Sequence, residues 1–270
     1  RVEVICDREG FWLKPHCDIK EKLLSGLIFV NNANESEELG TDFYNEKLEK
    51  EFLPEPPFGF LRNKTVSKPT IGFIGLGLMG AAMVNRLIDQ GYSLTLMANR
   101  SRDAIDAAVA RGATEVSTAH ELAAASDIVM LCIDTSANVE ARMRGEDGII
   151  AGLNKGATVI DFGTSLPAST RALGAEVAAV GGAYLDAPLG RTPAHAVDGL
   201  LNIMAAGDEA AFENVKPVLE DLGENVFHLG ALGSGHTIKL MNNFFGMKVA
   251  NAMAEVFAMA DVAGVDRGKV

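Results

Sequence analysis

The sequence predicts an α/β fold built on a doubly wound parallel sheet, and three observations predict it. Short apolar runs rich in β-branched residues alternate with stretches of helical period from Thr70 onward. A glycine-rich turn joins the first run to the first helical stretch. The runs are largely apolar, as strands covered on both faces are. At 270 residues, 48% apolar and 22% charged, the chain has material for about two folded units.

Taken in order, residues 70–74 form a β-branched and aromatic run, followed by the glycine turn and by Met79, Met83, Leu87 and Ile88 at the spacing of a helix face. Strands are expected at 93–98, 128–133, 157–161, 183–186 and 201–205, and helices at 103–111 and 209–221. Buried runs alternating with amphipathic helices are the pattern of a parallel sheet wrapped on both faces. From His236, apolar residues at Ile238, Met241, Phe245, Val249, Met253, Val256 and Ala260 predict one long helix. Composition changes near Lys68-Pro69. Residues 1–69 hold the single Trp and most of the prolines, including Pro54-Glu55-Pro56-Pro57, whose rings favour an extended connector. The expected organisation is a β-rich fragment with linker over 1–69, a sheet domain over 70–231, and the start of an all-helical domain over 232–270. The first residue is Arg and the helical pattern stops in mid-course, so the chain is expected to be cut at both ends.

Charge narrows the partners. Lys plus Arg number 24 against 36 Asp plus Glu, and a net charge of −12 repels a polyphosphate backbone, so no nucleic-acid partner is expected. Cys6, Cys17 and Cys132 have no C-x-x-C spacing, which suits neither a disulfide framework nor a zinc site. The longest apolar runs fall far short of the roughly 20 residues that span a bilayer, and no signal peptide is visible. The expectation is a cytoplasmic chain with no membrane partner and no metal.

Gly75-Leu76-Gly77-Leu78-Met79-Gly80 follows a predicted strand and opens a predicted helix, the context in which G-x-G-x-x-G reads as a pyrophosphate cradle of a Rossmann-type fold. Gly75 permits the tight turn, Gly77 lets a diphosphate approach the backbone, and Gly80 lets the helix pack close to the sheet. Free N–H groups at the helix start face the anion. An acid at the end of the second strand would hold a ribose 2′-hydroxyl, but Asn99-Arg100-Ser101-Arg102 stands there. Arginines pair with a 2′-phosphate, which favours NADP as cofactor, with NAD still possible.

Four stretches, in order, extend the reading: Gly72-Phe-Ile-Gly-Leu-Gly-Leu-Met-Gly80, Asp161-Phe-Gly-Thr-Ser165, Asp186-Ala-Pro-Leu-Gly-Arg-Thr192, and Gly233-Ser-Gly-His-Thr-Ile-Lys-Leu-Met-Asn-Asn243. With them, the chain from about Thr70 onward resembles the β-hydroxyacid dehydrogenase family. The resemblance implies a catalytic Lys at Lys239 and a catalytic Asn at Asn243, with Asn242 the weaker candidate. Residues at i and i+4 share a helix face, so ammonium and carboxamide can reach one substrate oxygen. An amine there would protonate the alkoxide left by hydride arrival, or take the hydroxyl proton in reverse, and partial desolvation would lower its pKa. Thr164 would lie near the nicotinamide, and residues 131–134 beneath the adenosine side. Where most of the family has Ser-Gly-Gly, this sequence has Gly190-Arg191-Thr192, which looks like the sulfolactaldehyde reductase branch. A guanidinium, a hydroxyl and exposed N–H groups suit a carboxylate, sulfonate or phosphate equally, so the substrate is expected to be a small anion. The family also implies a homo-oligomer formed through the completed helical domain.

His195, His228 and His236 lack metal-ligand spacing and read as loop residues or packing partners. The first 69 residues stand apart. Trp12-Leu-Lys-Pro-His16-Cys-Asp18 and the β-rich run that follows look like part of a 2-oxoglutarate and iron(II) dependent oxygenase, but no His occurs between His16 and His120 to complete a facial triad. An inert remnant is the expectation. The competing functional reading is a cofactor-binding or interaction module without chemistry, or an inactive truncated chain, because fold alone does not establish a reaction. Lys239 and Asn243 argue for catalysis.

Overall fold

A computed structural model of the chain describes residues 68–98 and 102–269. The segment expected to be a β-rich fragment, with His16 and Asp18, and Asn99, Arg100 and Ser101, expected to select the cofactor, lie outside the described residues. The described ones fall in one compact unit, Ser67–Val270.

Six strands, β1 (Ile71–Ile74), β2 (Leu94–Met97), β3 (Thr114–Val116), β4 (Ile128–Leu131), β5 (Thr158–Asp161) and β6 (Ala183–Asp186), form a sheet in the order β3-β2-β1-β4-β5-β6. Every pairing is parallel, as the uniformly apolar runs predict. Side chains alternate between two cores. Ile71, Phe73, Ile128 and Met130 enter one, beneath α1 (Leu78–Asp89) and α2 (Asp103–Ala110). Ile74, Val129, Leu131 and Val159 enter the other, with α3 (Ala119–Ala124), α4 (Ser136–Met143), α5 (Ile149–Gly152) and α6 (Pro167–Ala179). Both faces of the central strands are covered, which is why no polar alternation appears in β1 and β4.

The chain leaves β1 for β2 and β3 on one side, then crosses back to β4 on the other. This order places a crevice outside the carboxyl ends of β1 and β4, the place where ligands bind in open parallel sheets. Register keeps those ends level: Ile74 pairs with Leu131, Leu131 with Asp161, and Asp161 with Asp186.

The predicted strand at 201–205 forms but does not extend the parallel sheet. After β6 comes Pro188, which has no N–H to continue the ladder. The chain instead makes β7 (Leu189–Gly190), antiparallel to β8 (Leu201–Ala205), which pairs in parallel with β9 (Gly223–His228). Asp186 and Ala206 exchange backbone hydrogen bonds of 3.1 and 2.7 Å and tie this second sheet to the first. α7 (Pro193–Val197) and α8 (Glu209–Leu222) connect its strands.

The long helix expected from His236 starts two residues earlier. It is α9 (Ser234–Val262), 29 residues, with Gly233 in the left-handed conformation at its start. Only Gly235 and His236 are buried, and Met241, Phe244, Met247 and Met259 are exposed. Among the described residues no helix is long and apolar enough to cross a membrane.

Candidate functional site

Each of the three glycines of the first turn has its own reason. Gly75 has φ +103°, and a Cβ there would overlap the carbonyl oxygen of Cys132, the residue after β4. Gly80 lies inside α1, where a Cβ would overlap the Gly75 carbonyl and crowd the Phe73 ring. Gly77 is different: a Cβ there would meet no protein atom within 4 Å. Packing explains Gly75 and Gly80, while the space over Gly77 is open to a ligand. No side chain caps α1 at Gly77, so the orphan N–H groups of its first turn are available to an anion. Leu76 and Met79 pack against the core beneath, and Leu78 is exposed. The turn thus fits a dinucleotide diphosphate: a bare backbone cradle, a helix N-terminus, and no carboxylate in the turn.

Of the two arginines expected to select the cofactor, Arg102 is the one among the described residues. Its guanidinium forks onto Glu115 of β3 at 2.7 and 2.9 Å and also reaches Asp106 at 2.8 Å. The hydrogen bonds from Arg102 hold the Glu115 carboxyl below the usual range.

Along the same sheet edge, Asp161 ends β5 and is fully buried. It accepts hydrogen bonds from the Gly163 N–H and the Ser165 hydroxyl, both 2.8 Å, which shape the loop carrying half-buried Thr164. Burial pushes the Asp161 carboxyl up, opposed by His236 and these hydrogen bonds. Gly163 also comes close to the Ile133 carbonyl, so the loops after β4 and β5 touch. The residues expected beneath the adenosine side therefore lie between the glycine turn and Thr164.

Beyond β6, the Lys239 ammonium donates to the Leu189 carbonyl at 2.7 Å. It is half-buried, and desolvation lowers its pKa below the ordinary lysine value. Asn243 follows one turn later on α9 and is exposed, and the Asn242 amide is 4.0 Å from the Met204 sulfur. Level strand ends and strand spacings of about 4.8 Å put β6 about 14 Å from β1. Lys239 and the glycine turn therefore share the carboxyl edge of the sheet.

The triplet Gly190-Arg191-Thr192, expected to read the substrate's anionic end, follows Leu189 directly. Gly190 pairs with Asn202 of β8. Arg191 is the only non-glycine residue with positive φ among the described residues, at 76°. Its guanidinium donates to the Leu200 carbonyl at 2.7 Å and to Glu224 at 2.5 Å. The Thr192 hydroxyl shares a 2.7 Å hydrogen bond with the His195 ring. Polar groups of both residues are thus partnered within this second sheet and its helix.

The His195 ring bonds the Thr192 hydroxyl at the start of α7, and the His228 ring stacks on Phe212 at 4.7 Å between centroids. His236 is a packing partner in polar surroundings: it is fully buried in the first turn of α9 between Asp161 and Asp186. Spacing could not reveal this, since its partners lie 75 and 50 positions earlier in the chain.

Residues 70–230 match the family model described as the NAD binding domain of 6-phosphogluconate dehydrogenase. The chain is 36% identical over 200 residues to 2-hydroxy-3-oxopropionate reductase of Escherichia coli, covering 74% of this chain and 68% of that protein. It is 31% identical over 191 residues to the 3-sulfolactaldehyde reductase of the same species, covering 71% and 64%. The structure of Mycobacterium tuberculosis 3-hydroxyisobutyrate dehydrogenase with L-serine superposes with a TM-score of 0.68 at 29% identity, covering 74% and 68%. The chain spans about two thirds of the length of these relatives.

Proposed function

The chain belongs to the β-hydroxyacid dehydrogenase family, and from that premise we propose that it moves a hydride between NADP(H) and a small β-hydroxyacid or its semialdehyde. The observation that carries this reading is the Lys239 ammonium seated on the Leu189 carbonyl, at the sheet edge where the glycine turn opens. The turn from Gly75 to Gly80 and the start of α1 would hold the dinucleotide, with Thr164 toward its redox end. When bound, the nicotinamide supplies or accepts the hydride. Lys239 gives a proton to the oxygen of the carbonyl being reduced and takes one from the hydroxyl in reverse; Asn243 steadies that oxygen from the next turn. The N–H groups of the Gly190 loop, with Arg191 and Thr192, read the substrate's anionic end, for which Arg191 exchanges its Glu224 contact. The names of the relatives support a small carboxylate or sulfonate as that anion. The exposed apolar side of α9 supports assembly of like chains through that helix. Screening NADPH against glyoxylate, succinic, tartronic and methylmalonic semialdehydes and sulfolactaldehyde tests the assignment; absence of turnover with all of them would reject it.

NADP preference rests on Arg100 and on Asn99 standing where an acid would select NAD. Arg102, engaged with Glu115 and Asp106, contributes once it turns from them. Nicotinamide fluorescence titration should show NADPH binding about tenfold or more tighter than NADH, the scale of one charge-assisted pairing. The opposite order removes the phosphate-pairing argument.

The lowered Lys239 pKa fixes a pH signature. Reduction needs the ammonium, so its kcat/KM falls as pH rises through that pKa, while oxidation needs the free amine and rises over the same range. A reduction profile flat to the alkaline limit of folding would exclude Lys239 as the donor.

A further inference from the structure

Asp161 and Asp186 are neighbours in register at the ends of β5 and β6, and both are fully buried. The two carboxylates serve different elements. Asp161 organises the loop that carries Thr164, through the Gly163 N–H and the Ser165 hydroxyl. Asp186 does for α9 what its own sequence cannot: Gly233 stands at the cap position without a side chain, and Asp186 accepts the N–H groups of Gly233 and His236 at 2.8 and 2.7 Å. Gly235 makes this approach possible, because a Cβ there would overlap the Met204 carbonyl and lie 3.0 Å from the same carboxylate.

The His236 side chain fills the space between these two systems. Its Nδ1 shares a 2.7 Å hydrogen bond with the Thr170 hydroxyl of α6 and lies 3.8 Å from Asp186. Its Nε2 lies 3.7 Å from Asp161 and is the one buried side-chain polar atom without a hydrogen-bond partner among the described residues. An unpartnered buried nitrogen is costly to keep, so its retention calls for a compensating role. His236 stands three residues before Lys239, less than one turn of the same helix.

We propose that His236 is a positioning residue: wedged between Asp161 and Asp186, it fixes the root of α9 against the strand ends that shape the Thr164 loop, and so sets the placement of Lys239 relative to the cofactor side. This rests on the reading of Lys239 as proton donor. His236 touches neither substrate nor cofactor and acts through the helix it anchors.

The test compares His236→Ala, His236→Asn, His236→Gln, Thr170→Val and Lys239→Ala in the full chain. Amide exchange by mass spectrometry without ligand should show the 233–239 segment exchanging about tenfold or more faster in His236→Ala, and unchanged in Lys239→Ala. With NADPH and tartronate semialdehyde, His236→Ala should lose about 10- to 100-fold in kcat, as expected for a donor displaced by about 1 Å, with KM and NADPH affinity within about twofold. Asn places an amide where Nδ1 stood and should recover part of the loss; Gln, which imitates Nε2, should not. Thr170→Val keeps the fold while removing the ring's partner, and should show the same effects more weakly should His236→Ala not fold. Wild-type exchange in His236→Ala or in Thr170→Val overturns the proposal, as does a loss of NADPH affinity that tracks kcat. Wild-type turnover in Lys239→Ala overturns the proton-donor reading and this proposal with it, whereas a dead Lys239→Ala beside a fully active His236→Ala overturns this proposal alone.

Discussion

Lys239→Ala is expected to reduce kcat/KM for semialdehyde reduction by about 10²- to 10⁴-fold, the range of a positioned general acid. Affinity for NADPH should stay within about twofold. The split follows from the geometry. Lys239 is half-buried against the Leu189 carbonyl beyond β6, while the diphosphate cradle is at the end of β1, with β4 and β5 between. Removing the amine therefore leaves the cradle untouched and leaves the developing alkoxide without a proton. Lys239→Arg should not restore the rate, because a guanidinium keeps its protons across the working pH range. Steady-state rates together with a fluorescence titration of NADPH check both halves, and turnover at the wild-type rate would place the donor elsewhere.

The second large effect separates two glycines of one turn. Gly77→Ala should leave the melting temperature nearly unchanged, since the added Cβ meets no protein atom within 4 Å and φ is −72°. It should nevertheless weaken dinucleotide binding by about tenfold or more, near 1.4 kcal/mol, because a methyl group then occupies the approach to the backbone. Gly80→Ala should do the reverse in order of cause. Its Cβ overlaps the Gly75 carbonyl, so the turn itself must shift, at a cost of about 1–3 kcal/mol of stability, and binding falls as a consequence. Thermal melts and titrations of the two variants decide the matter. Undiminished binding by Gly77→Ala would mean that the diphosphate does not cross the turn.

Much of this fold is legible because its strands are buried on both faces. Residues 71–74 and 128–131 are apolar without interruption, and the Gly75 to Gly80 turn follows the first of them directly. Short or exposed elements are among the illegible ones, as are α4, α5 and α6, whose few buried residues, such as Val139, Met143, Ile149 and Leu173, set up no extended apolar pattern. β3 is three residues, Thr-Glu-Val, at the sheet edge, with too little burial to impose a pattern. β9 is half-exposed, and its residues carry no apolar run that would announce a strand. α3 carries a signal in its Thr118-x-x-Glu121 spacing, a capping box that the structure forms with both hydrogen bonds. The departure of β8 from the parallel sheet turns on a tertiary event, the antiparallel return after Pro188. At the candidate site, Gly75, Gly80 and Lys239 are legible because local conformation or a compact motif marks them. The surroundings of His236 are not, since burial between two carboxylates from distant strands leaves no trace in spacing.

The rooting of α9 has a mechanical consequence. At about 1.5 Å per residue the helix runs about 44 Å, yet only Gly235 and His236 in its first turn are buried. Taken as a rigid rod, it pivots where it is buried, at the sheet. A tilt of about 10° about His236 would carry the last turn through about 7 Å, while the backbone of Lys239, about 5 Å from that pivot, would move about 1 Å. The amine rides where rotation disturbs its aim least, and whatever the outer turns carry sweeps the widest arc.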